Sequence, residues 1–108
     1  MKAVIVKTTG EKSVVEFDNS TAYKTLSGAV GGYIECVHLP ETLDLDLWVN
    51  EEGKLDGLDF NLFGTYLWVE NYGKTDVIVG DIILTSGTDD EGHTLGLSDE
   101  QVDYLLGL

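Results

Sequence analysis

Apolar residues recur along the chain in two rhythms, one of strands and one of helices. Val4, Ile5 and Val6 lie between lysines and threonines and read as a strand, with Val14, Val15 and Phe17 as a second. Between them, Thr8-Thr9-Gly10-Glu11-Lys12 makes a tight turn with glycine where a positive φ is needed, so the pair is a hairpin. Ala22, Tyr23, Leu26, Ala29 and Val30 then fall at near-helical spacing. Asp18-Asn19-Ser20 offers N-caps ahead of them, and Gly31-Gly32 suits a helix C-cap behind. This short amphipathic helix is expected to lie across the hairpin.

Tyr33 to Leu39 reads as a strand stopped by Pro40. Leu43, Leu45 and Leu47 alternate with Asp44, Asp46 and Trp48, a period of two that predicts one buried face and one wet, acidic face. Val49 to Lys54 closes this strand with a turn. Residues 56 to 73 fit neither rhythm cleanly: a loop comes first, then a short helix or a strand around 61 to 70. Val77 to Thr85 is a near-continuous β-branched run and reads as a central strand, with Gly80 marking a bulge or a close backbone approach. A polar, acidic loop covers Ser86 to Gly92. Ser98-Asp99-Glu100-Gln101 is a capping box that opens a C-terminal helix whose apolar face is Val102, Leu105 and Leu106. The fold class is α+β: a small mixed or antiparallel sheet of about five strands, a short helix after the first hairpin and a C-terminal helix. Residues 1 to 108 form a single acidic domain, and no internal repeat breaks it up.

Charge changes the picture more than composition does. Twenty acidic residues face six basic ones, for a formal net charge of −14. All six basic residues are lysines: Lys2, Lys7, Lys12, Lys24, Lys54 and Lys74. Without arginine there is no planar fork to grip phosphate through paired bonds, and without a basic stripe there is no footprint for nucleic acid. Direct binding to nucleic acid or to an anionic membrane is therefore not expected. A charged partner would be basic. The single cysteine, Cys36, cannot form an intramolecular disulfide. The N-terminal apolar run is too short for a signal peptide, and no stretch approaches a membrane span. The expected location is the cytoplasm.

Candidate chemistry thins out on inspection. Gly10-Glu11-Lys12-Ser13 looks like the tail of a phosphate loop, but the upstream glycine is missing and a strand follows instead of a helix. Cys36 and His38 share one strand face, yet no third group completes a catalytic set, and only His93 remains as a nitrogen donor for a metal. Asp89 and Glu100 are spaced like the ends of an EF-hand loop, but Thr94 stands where glycine is required. No catalytic residue, metal or cofactor is assigned, and a non-enzymatic protein is expected. The acidic stretch Asp44, Asp46, Trp48, Glu51, Glu52, Asp56 and Asp59, with an aromatic inside it, is the best candidate for a protein-binding surface.

Three blocks carry a resemblance: Tyr23-Lys24-Thr25-Leu26 with Val30-Gly31-Gly32-Tyr33-Ile34-Glu35; Val49-Asn50-Glu51-Glu52-Gly53-Lys54-Leu55 with Gly57-Leu58 and Asn61; and Ile78-Val79-Gly80-Asp81-Ile82-Ile83-Leu84-Thr85. In this order they resemble the domain-of-unknown-function family 3846, over residues 23 to 90. The segment after Asn61 is more aromatic here than in that pattern. The resemblance implies a bacteriophage, prophage or mobile-element setting, hence a bacterial host, and implies no activity. Local geometry also explains the blocks: Gly31 and Gly32 permit a helix-to-strand turn, and Asn50 and Gly53 shape a hairpin turn.

Two functional expectations follow. The first is an accessory protein that binds and inhibits or modulates a basic host protein, as an acidic DNA mimic or anti-defence factor. The second is a small-molecule binder, such as a sponge for a signalling nucleotide. An exposed edge strand at 43 to 49 would also allow homo-oligomers.

Overall fold

In a computed structural model describing residues 1–108, five strands form one sheet with the order β2-β1-β5-β4-β3, and every neighbouring pair is antiparallel. The strands are β1 (Lys2–Val6), β2 (Lys12–Glu16), β3 (Ile34–Leu39), β4 (Leu45–Asn50) and β5 (Ile82–Thr85). The helices are α1 (Ala22–Val30), α2 (Leu62–Tyr72) and α3 (Asp99–Gly107). The expected α+β class, the first hairpin and both expected helices are present.

Strand alternation sends side chains to two cores. Val4, Val6, Leu45, Leu47, Val49, Ile82 and Leu84 pack under Leu67 of α2 and Val102 and Leu105 of α3. Ala3, Ile83 and Phe17 pack under Leu26 and Val30 of α1, with Ile5, Ile34 and Trp48 against them. Both sheet faces are thus covered, and α1 rests on β3, β4 and β5 as well as on the hairpin side chains. Each fully buried leucine or isoleucine contributes roughly 2 kcal/mol through burial, and Leu39, Leu45, Leu47, Leu67, Ile82, Ile83, Leu84 and Leu105 are all in that state.

The open segment resolves as helix. Asn61 is fully buried and is the N-cap of α2: its side-chain oxygen accepts from the Gly64 amide at 2.9 Å. Its amide nitrogen donates to the carbonyls of Val6 and Gly80 at 3.1 and 2.9 Å. That one side chain ties the start of α2 to the end of β1 and to the approach to β5. Aromatic crowding hid this helix because its residues face both the core and solvent: Leu67 is buried while Leu62 is 72% exposed.

Three expectations need correction. The run from Val77 to Thr85 is not one strand. Only Ile82–Thr85 is strand, because Gly80 takes φ +79, where a Cβ would also meet Leu58 at 2.8 Å. The strand at 43 to 49 begins only at Leu45, since Leu43 and Asp44 sit at φ 52 and 57 in the turn before it. It is also no edge, since β4 lies between β5 and β3. The edges are β2 and β3.

Candidate functional site

The predicted acidic surface divides into a knitted half and a free half. The strand face carrying Asp46 and Trp48 is not the wet, acidic face expected from the alternation. Trp48 packs against the α1 core, and its Nε1 donates to Thr85 Oγ1 at 2.8 Å. Asp46 is 7% exposed and pairs across the ladder with His38 on β3. Asp44 lies in the turn rather than on the strand. His38 sits between the two carboxylates, with Nδ1 at 2.9 Å from Asp46 and Nε2 at 2.8 Å from Asp44. A carboxylate at each ring nitrogen favours the imidazolium, the form in which both nitrogens can donate. The hydrogen bond to Asp46, followed by that to Asp44, raises the His38 pKa above its ordinary value. This clamp holds two consecutive left-handed non-glycine residues, a conformation that costs about 1–2 kcal/mol per residue.

Cys36 shares the His38 face as expected, but the pair is poor nucleophilic equipment. Desolvation first, and then the Asp46 carboxylate, push the Cys36 thiol up to about 12, so it stays protonated. The imidazole beside it is saturated by carboxylates. No three His, Cys, Asp or Glu side chains are grouped to hold a metal ion. Asp89 is spent inside its own loop, where Oδ1 accepts from the amides of Glu91 and His93, each at 2.9 Å. The amide of His93, foremost, holds the Asp89 carboxyl below its usual range.

The free half lies after β4. Glu51, Glu52 and Asp56 are exposed on a series of tight turns, and Asp59 is exposed just beyond them. Asn50 shapes the first turn, accepting from the Glu52 amide at 2.8 Å and donating to Val30 O at 3.2 Å. These turns lead into α2, not into a returning strand. Gly53 suits that tight approach, since a Cβ would meet Val79 at 3.1 Å and the Asn50 carbonyl at 3.3 Å.

Beside these turns opens a cleft of about 240 Å³. Val37 of β3, Val49 of β4, Trp68 of α2 and Ile78 give it an apolar floor, and Leu55, 90% exposed, stands at its lip. Trp68 is held by a bond from Nε1 to Thr75 Oγ1 at 3.0 Å and lies 4.6 Å from the Tyr72 ring. Three carboxylates line the cleft: Glu35, Glu51 and Asp76. Its one lysine, Lys54, is ion-paired to Asp76, and that bond holds the Asp76 carboxyl below its usual range. Of the predicted surface residues only Glu51 lines this cleft, while Glu52, Asp56 and Asp59 stay on the adjoining segment. Sequence reasoning missed Glu35, Val37, Trp68 and Asp76 because they come from three separate segments, and no spacing along the chain announces that.

No helix is long and apolar enough to cross a membrane. The sequence model of one family, described as Domain of unknown function (DUF3846), matches residues 1–108. No curated protein and no solved structure matches the chain.

Proposed function

The chain belongs to the DUF3846 family, and from that premise we propose that it is a non-enzymatic phage or mobile-element accessory protein that binds and modulates a basic protein of its bacterial host, in the host cytoplasm. One observation carries the reading: a cleft with an apolar floor is lined by three carboxylates, and its only cation is already neutralised by Asp76. Such a site offers a lysine or arginine of a partner both an apolar surface for its stem and a carboxylate for its head. The net charge of −14 would steer a basic partner toward it from a distance. A nucleotide is the poorer fit. Its phosphates would face Glu35, Glu51 and Asp76 without an arginine or a free lysine in the cleft.

The test is to express the tagged chain in a bacterial host and identify what co-purifies while salt is raised from about 0.1 M to about 1 M, over which the screening length falls from about 10 to about 3 Å. A basic protein retained at low salt and released at high salt is the expected result. Retention that survives high salt undiminished would exclude charge mimicry as the mechanism.

A further inference from the structure

The two sheet edges are not alike. On β2 the residues whose backbone groups point outward are Lys12, Val14 and Glu16, since Met1 and Phe17 exchange the inward bonds and Lys7 bonds Glu11 in the same register. Two charged residues occupy that register, and Lys12 reaches over to the carbonyls of Leu105 and Leu108 at 3.1 and 2.6 Å. That edge is blunted in the usual way. On β3 the Glu51 amide bonds the Tyr33 carbonyl, so Glu35, Val37 and Leu39 face β4 and Ile34, Cys36 and His38 turn their backbone groups outward. Of those three only His38 can carry charge, and it is engaged by Asp44 and Asp46 at the covered end. The last turn of α2 covers only the far end: the Tyr72 hydroxyl donates to the His38 carbonyl, and Asn71 Oδ1 accepts from the Glu41 amide at 2.7 Å. The N–H and C=O of Ile34 and Cys36 remain without a protein partner.

This open stretch runs beside the cleft, because Glu35 and Val37 of the same strand line it. Resting on the reading of the cleft as a site for a basic partner, we propose that the partner enters as an extended segment that adds a sixth strand to the β3 edge. Its backbone bonds the free groups of Ile34 and Cys36, about 4.8 Å from β3. Alternate side chains then fall over the cleft, where lysine or arginine stems lie on Val37 and Trp68 and their heads reach Glu35 or Glu51, the two cleft carboxylates that Lys54 does not engage. Charge complementarity selects this occupant over a second copy, which would bring another −14 to the same edge.

The full chain, labelled with 15N, would be titrated with a capped synthetic peptide of alternating lysine and valine. Saturable binding is expected, with the largest amide shifts at residues 34 to 37 and 51 to 55 and slowed hydrogen exchange at Ile34 and Cys36. The same peptide N-methylated at alternate backbone nitrogens should bind roughly tenfold more weakly, the loss of one or two hydrogen bonds. Binding without slowed exchange at Ile34 and Cys36 overturns strand addition while the acidic-cleft reading stands. Absence of binding at low salt overturns both. If the chain alone sediments as a dimer with those amides already protected, a second copy holds the edge and the proposal fails. Charge reversal by Glu35→Lys with Glu51→Lys should abolish peptide binding with an unchanged circular dichroism spectrum.

Discussion

Residues 44 to 48 and residues 51 to 59 read as one acidic stretch, yet the fold uses them in opposite ways. In the first segment the carboxylates are structural: Asp46 is buried, and it and Asp44 hold the two nitrogens of His38. In the second, Glu51, Glu52, Asp56 and Asp59 are exposed beside a cleft. The difference comes from sheet position. β4 is an inner strand with a helix layer on each face, so any side chain on it is drawn into packing or pairing. Once the chain leaves β4 at Asn50, Gly53 still packs inward but the four carboxylates stay exposed. A charged residue reports a binding surface only where the fold leaves it uncommitted.

The contrast can be broken most forcefully at Trp48. Trp48→Ala, which opens a void beside the α1 core and removes the bond to Thr85, should lower unfolding free energy by about 3 kcal/mol in denaturant titrations. A loss as small as that of a surface substitution would put Trp48 back on the binding face. Asp46→Ala should follow at about 2 kcal/mol, since it strips the buried partner from His38 and releases the turn.

A smaller effect appears with pH. The folded His38 pKa lies above 6.5, so its contribution to stability is fully present below that value and fades as pH rises through the folded one. Comparing melting temperatures of the wild type and His38→Gln isolates this group from the general charge. The gap between them should be widest near pH 6 and should close in the alkaline range. A constant gap would mean that His38 acts by shape alone. Least of all in stability, Glu51→Gln, Glu52→Gln and Asp56→Asn combined should change the unfolding free energy by no more than about 0.5 kcal/mol. The same triple variant should flatten the salt dependence of partner binding, measured by calorimetry across a salt series. If it instead unfolds the protein, the second segment is as structural as the first.

What was legible in the sequence was local. The Ser98 capping box, with its amide and side-chain bonds to Gln101 at 2.8 and 3.1 Å, and the left-handed Gly31 after α1 follow from residues within a turn of one another. So does the first hairpin. Illegible features were those that depend on distant partners. Alternation in Leu43 to Trp48 looked two-faced because the hand that covers the Asp46 face, α1, comes from residues 22 to 30. Gly80 signalled a break but not its size, which depends on Leu58 packed against it. The cleft was invisible for the same reason, being the meeting of β3, β4, α2 and the segment 76 to 79.

The order of strands in the sheet also has a consequence in time. β5, residues 82 to 85, is the middle strand and the only bridge between the β1–β2 and β3–β4 hairpins. A chain growing from its N-terminus can close each hairpin by itself. Those two hairpins have no sheet contact to share until the last strand has been made, and an isolated hairpin is only marginally stable in water. The sheet is therefore completed only when β5 docks, and a nascent chain stopped before residue 82 lacks the strand that joins its two hairpins.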